Sequence, residues 1–205
     1  MRMFAALLLA TLACTGCAGS LLESRNEAPE VYRLVGPALA DGGQRLPLVL
    51  GIAPLRAAAS LDTARIAVVE PDSRFDYFAG MRWSDAAPEM LGQLIVRSVA
   101  ADGRFATVVA TPSRVPADLL LDVELRRFEA VYGTASEVPR VIVEMQVTLI
   151  DNRRARSLVS FVQSASATAA ANGQVAVLAA FEQATAEALV SITTRIRESA
   201  DGAAR

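Results

Sequence analysis

The chain has 205 residues, 53% of them apolar and 20% charged, which is enough for one buried core and hardly enough for two. With 20 basic against 22 acidic side chains its net charge is −2, a balance that argues against nucleic acid, which selects a basic face. Histidine is absent, so no Ser-His-Asp or Cys-His arrangement can form and the commonest metal ligand is missing; an enzyme is not expected.

Met1-Arg2-Met3 gives the chain a short positive start, and Phe4 to Ala13 is an uncharged apolar run. Spanning a bilayer takes about 20 helical residues, so this shorter run reads as a secretory signal peptide. Both cysteines, Cys14 and Cys17, close the leader, leaving the chain beyond them without a thiol nucleophile, a disulfide or a thiolate metal site. Thr15-Gly16-Cys17 resembles a lipobox, where small residues let the signal peptidase approach the backbone and the cysteine receives acyl and diacylglycerol lipid. Cys14 stands where an aliphatic residue is usual. Thr11-Leu12-Ala13-Cys14 is therefore a competing site with a shorter leader, and Cys17 is preferred. One acyl chain holds a protein only marginally on a membrane and two or more hold it stably. Ala18, in place of an aspartate, directs the expectation to the periplasmic face of the outer membrane. The organisation that follows is a leader over 1–16, a lipidated flexible tether over 17–30, one domain over 31–200 and a disordered tail over 201–205. No cofactor beyond the covalent lipid is expected.

Val31 to Val35 alternates as a short strand, Leu48 to Ile52 reads as a second, and Ala64 to Val69 as a third, stopped by Pro71. Phe75 to Met81 reads as a short edge strand or a loop. Ser84 is the expected N-cap of a helix, with Asp85 and Glu89 in its first turn, where the dipole favours acids. Leu91, Leu94, Ile95, Ser98 and Val99 fall on one face of that helix, and Asp102-Gly103 ends it. Phe105 to Val109 is a short strand. Three long strands follow, over 117–131, 141–151 and 156–168. The first carries Leu119, Leu121, Val123 and Leu125 on one face and Leu120, Asp122, Glu124 and Arg126 on the other; the second carries Val141, Val143, Met145, Val147 and Leu149 on one face. A last helix spans 174–198 behind Asn172 as its cap, with Leu178, Phe181, Leu189, Ile192 and Ile196 at helical spacing and Ala184 and Ala188 allowing close approach. The expected fold is α+β: a mixed, mainly antiparallel sheet with two helices packed on one face.

No glycine-rich phosphate loop, nucleophile elbow or calcium loop occurs. Asp122 and Glu124 can be read as an acidic pair or as a solvated strand face, and Arg153, Arg154 and Arg156 as a solvated turn or a phospholipid-headgroup contact. Four of the eleven aromatic residues fall between Phe75 and Trp83. Tyr77, Phe78, Arg82 and Trp83 thus form a candidate patch, either core packing under the first helix or an exposed contact for a partner or lipid.

The order of these motifs resembles the ABC-type transport auxiliary lipoprotein family, which includes the paraquat-inducible protein C group. The resemblance rests on Tyr32-Arg33-Leu34, on Leu61-Asp62-Thr63-Ala64-Arg65-Ile66 entering a strand, and on Tyr77 through Arg82-Trp83-Ser84-Asp85 to Pro88 before the first helix. It continues in Ala117-Asp118-Leu119-Leu120-Leu121 leading to Phe128, and in the alanine-rich last helix. It implies a periplasmic component of a lipid-transport system with three partners: a membrane-embedded ABC permease, a cytoplasmic ATPase and a substrate-binding protein bearing MCE domains. The implied role is to dock the MCE assembly at the outer membrane, with a homo-oligomeric ring as a further implication. The alternative is a carrier whose domain holds an acyl chain between sheet and helices.

Overall fold

The computed structural model describes residues 28–37, 39, 43–134 and 138–203. Its organising element is a thirteen-residue strand, β7 (Leu119–Val131), which is paired along both sides. On one side β8 (Arg140–Asp151) runs antiparallel along its whole length, and β9 (Arg156–Thr168) continues the ladder outward. On the other side the chain from residue 46 to 69 passes once along β7 in three parallel pieces. β2 (Leu46–Ile52) pairs with Leu119–Leu121, β3 (Arg56–Ala57) with Glu124 and Leu125, and β4 (Arg65–Val69) with Glu129–Val131. β6 (Phe105–Ala110) extends the sheet beyond β2, while β5 (Phe75–Trp83) and β1 (Glu30–Tyr32) extend it beyond β4. The short pairings are mostly parallel and the two longest are antiparallel, so the nine-stranded sheet is mixed and mainly antiparallel. With its two helices it is the α+β fold that the alternation implied.

Four local expectations are corrected. Phe75–Trp83 is one strand, paired with β4 on one side and covered by β1 at Met81–Trp83 on the other; it is an edge only over its first part. Ser84 does not cap the first helix, α1 (Ala87–Asp102). Its hydroxyl bonds the Asp85 carboxylate at 2.8 Å, and the cap position is Ala86, without a side-chain bond. No capping hydroxyl is needed, because the Ala87 N–H donates to the Thr63 carbonyl at 3.0 Å and Pro88 in the first turn has no N–H. Gly103, at φ 74°, ends α1 in the left-handed conformation that favours glycine. Asn172 likewise does not cap the second helix, α2 (Gln174–Ala203). Its side chain accepts from the Tyr132 hydroxyl at 2.7 Å, and the Gly173 carbonyl takes the first helical bond, from Val177 N–H. α2 also runs past the expected stop at Glu198, and an ion pair between Asp201 and Arg104 on the loop after α1 ties down its last turn.

The alternating strands bury one face. Leu119, Leu121, Val123 and Leu125 of β7 and Val141, Val143, Met145, Val147 and Leu149 of β8 are buried, while Leu120, Asp122, Glu124, Gln146 and Thr148 are only half-buried. The period breaks once. Leu125 pairs with Met145 and Arg127 with Glu144, so Arg126 is the extra residue of a β-bulge. The bulge swings Phe128 and Ala130 onto the buried side, where unbroken alternation would have placed Arg127 and Glu129. Against this face α2 lays Phe181, Ala184, Ala188, Leu189, Ile192 and Ile196, and α1 adds Leu91, Leu94, Ile95 and Val99. The two alanines sit at 0% exposure, where their small side chains let the helix approach the sheet.

Candidate functional site

The aromatic patch on β5 does not stay together. Trp83 has 0% exposed surface, and its ring meets Phe128 at 5.4 Å and Phe181 at 5.2 Å, closing a three-ring cluster that joins β5, β7 and α2. Arg82, its neighbour, points to solvent. Tyr77 and Phe78 are half-buried. Tyr77 packs edge-on against Phe75 at 5.4 Å, lies under the Arg65 guanidinium at 3.7 Å, and donates its hydroxyl to the Ser60 carbonyl at 2.9 Å. A register irregularity between Tyr77 and Arg82, with Gly80 at φ 73°, separates the outer aromatics from Trp83.

The hairpin arginines are exposed but engaged. Arg153 pairs with Asp118, and Arg154 and Arg156 reach Asp151 at 2.9 and 3.8 Å. Asp118 also accepts the Val49 N–H at 2.8 Å, and Asp151 accepts the Arg154 N–H at 3.0 Å. Asp118 thus ties the β8–β9 turn to β2 just before β7 begins, while Asp151 closes the turn on itself. The hydrogen bond from the Arg154 side chain, foremost, holds the Asp151 carboxyl below its ordinary value. A depressed carboxylate adds stability above its unfolded pKa, about 3.9, and loses it as pH falls through the lower folded value. Asp151→Asn should therefore melt below the parent protein at pH 7, with the gap closing as the pH is taken below about 4; thermal melts at several pH values measure this.

Asp122, one half of the acidic pair considered above, is bonded to Arg56 at 2.9 Å. Among the described residues no group of three or more acidic, cysteine or histidine side chains could hold a metal ion. α2 is long and apolar enough by composition to cross a membrane, but its apolar face is the one laid against the sheet. Cys17 and Cys14 lie outside the described residues.

An open apolar groove of about 500 Å3, which the sequence did not reveal, runs between the chain leaving β2 and the flank of α1. Pro54 and Leu55 form one wall, Pro88, Gly92 and Val96 the other, and Asp62 and Glu89 stand at its margin. The signal was Gly92, a glycine in a helix interior, where alanine is favoured by about 1 kcal/mol. A Cβ at Gly92 would meet only Leu55 Cδ1, at 3.5 Å, an ordinary contact, so the packing does not require the glycine.

Two ends of the domain are also distinguished. β1 runs opposite to β7, so the chain preceding Glu30 leaves at the end of the sheet where β7 finishes. The arginine turn joins β8 to β9 at the other end, where β7 begins. At about 3.3 Å per residue, the thirteen residues of β7 keep the two ends roughly 40 Å apart.

Comparison with known proteins gives the family described as ABC-type transport auxiliary lipoprotein component over residues 32–193. No curated protein matches the chain. Among solved structures, a protein of Xanthomonas campestris from the DUF330 family superposes with a TM-score of 0.77 at 22% identity, covering 84% of this chain and 98% of that one. A hypothetical protein of Chlamydia trachomatis superposes at 0.54 with 11% identity, covering 74% and 96%. At these identities the two structures speak to the fold alone.

Proposed function

The chain belongs to the ABC-type transport auxiliary lipoprotein component family, and from that premise we propose that it is a non-enzymatic docking subunit of an MCE-type ABC lipid transporter. In this reading the chain is exported, acylated on Cys17 and held at the periplasmic face of the outer membrane. There it receives the MCE-domain substrate-binding protein of a system whose permease and ATPase lie at the inner membrane.

One observation carries docking over carriage: the interlayer between sheet and helices is filled. Trp83, Phe128 and Phe181 are in ring contact there, and the β7 and β8 side chains beneath α2 are buried throughout. An acyl chain held between sheet and helices would have to displace close-packed side chains, which forfeits their contacts. The arrangement of the two ends agrees with docking, since the segment joined to the lipid leaves at one end and the arginine turn is presented at the other. A carrier role is favoured by one feature only, the apolar groove beside α1, which is open to solvent.

Crosslinking in the native cells, followed by mass spectrometry, tests the proposal. Recovery of an MCE-domain protein with its permease is the expected result; recovery of lipid alone would overturn docking in favour of carriage. Cys17→Ala should release the folded protein from the membrane, and continued tight attachment would sink the anchor. Gly92→Leu places a side chain in the groove beside Leu55, which a Cβ at Gly92 would meet at 3.5 Å. It should leave the crosslinked partner in place under the docking reading and expel bound lipid under the carrier reading.

A further inference from the structure

We infer that the groove beside α1 is a docking site for one amphipathic helix of a partner protein, laid antiparallel to α1 with an acidic first turn and a basic last turn. This goes beyond the docking reading and does not depend on it. The groove opens on Ile52 at the end of β2, whereas the arginine turn lies beside Pro47 and Leu48 near its start, so the two sites are separate. Two rows on α1 shape the groove. Pro88, Gly92 and Val96 recur every fourth residue and form its apolar side. Glu89, Gln93 and Arg97, the next row round the helix, form an exposed polar rim. Leu55 lies against Gly92 in the middle of the apolar row. An apolar row edged by a polar ridge suits the apolar face of a second helix, anchored at i, i+3 or i+4 and i+7.

The rim charges select the occupant. Asp102, Asp118, Asp122, Asp151 and Asp201 each pair with an arginine. Asp62, Glu89 and Arg97 have no ion-pair or hydrogen-bond partner for their side chains among the described residues. Asp62 and Glu89 stand together at one end of the groove, because the Ala87 N–H is bonded to the Thr63 carbonyl. Arg97 stands about 12 Å along α1 from Glu89, at a rise of roughly 1.5 Å per residue. The groove is therefore negative at one end, positive at the other and apolar between. A lone acyl chain has no charge to set against both ends. A helix has, since acids are favoured in its first turn and bases in its last. Laid antiparallel to α1, its first turn meets Arg97 and its last turn meets Asp62 and Glu89. Laid parallel, the same helix would set acid against acid and base against base.

The test uses the full lipidated protein in phosphatidylcholine vesicles and two fluorescent model peptides of about 18 residues, long enough to hold a helix. Both are alanine-rich with a leucine stripe and have the same composition and net charge. One carries glutamates in its first turn and lysines in its last; the other has them exchanged. Anisotropy, corrected with empty vesicles, should show the first bound about tenfold more tightly than the second. Asp62→Lys, Glu89→Lys and Arg97→Glu together should invert the preference. Glu182→Lys with Glu187→Lys, on the exposed face of α2, should leave it as it was. Binding of neither peptide would overturn the inference, as would equal binding of both or an unchanged preference in the folded triple variant. A change of the same size in the α2 variant would do so too, because the field of the whole protein would then be the cause. A fluorescent fatty acid that binds the parent protein but not Gly92→Leu, and that neither peptide displaces, would give the groove to lipid instead. If the triple variant fails to fold by circular dichroism, Arg97→Glu alone, which should narrow the preference, decides.

Discussion

Trp83→Ala is expected to lower the unfolding free energy by about 3–5 kcal/mol, read as a fall in the urea midpoint at unchanged slope. The indole is wholly buried and is shared by three elements. Its removal leaves a cavity bounded by Phe128 on β7 and Phe181 on α2, and neither ring can close it without moving its backbone. Trp83→Phe should cost much less. The indole N–H is buried without a hydrogen-bond partner among the described residues, a debt of about 1–3 kcal/mol that phenylalanine does not carry. If Trp83→Ala keeps its urea midpoint and loses only the crosslinked partner, Trp83 acts at an interface and the three-ring core is wrong.

Arg197→Met is the second large effect expected, about 3 kcal/mol of lost stability. Its guanidinium donates to Asp102 at 3.0 Å, and the Asp102 side chain is 1% exposed at the last residue of α1. A carboxylate there faces the negative end of its own helix dipole as well as a dry surrounding. The value is placed at the low end of the range for buried pairs because Arg197 retains 25% of its surface. Replacing both partners, Asp102→Asn with Arg197→Met, should recover part of the loss, since asparagine puts no charge at that buried position. Equal losses in the single and double variants would remove this account of how α1 and α2 are tied.

The arginine turn illustrates how sequence and structure divide the work. In sequence, Arg153, Arg154 and Arg156 read as a solvated turn ahead of a headgroup contact. Asp118, the partner of Arg153, is distant in sequence and reaches it only because β7 begins where β8 ends. The aromatic stretch behaves in the same way. Its composition was plain, but a distortion around Gly80 sends Trp83 to the core and leaves Arg82 in water. The groove beside α1 lay in two segments some forty residues apart, and only the helix-interior Gly92 hinted at it.

What the sequence by itself determined is what local periodicity and chemistry can encode. The three long strands, the two helices, the buried faces of β7 and β8 and the one-sided α+β architecture all follow from alternation with period 2 or 3.6, which each segment carries without knowledge of its neighbours. The order of motifs carried the family as well. What only the tertiary structure decided is whatever depends on two distant segments meeting. The Thr63 carbonyl that makes a capping serine unnecessary, the bulge at Arg126 that turns Phe128 inward, and the single pass of residues 46–69 along β7 in three pieces are examples. Each is fixed by satisfying backbone groups and filling space across the sheet, a condition on pairs of segments that neither segment states alone.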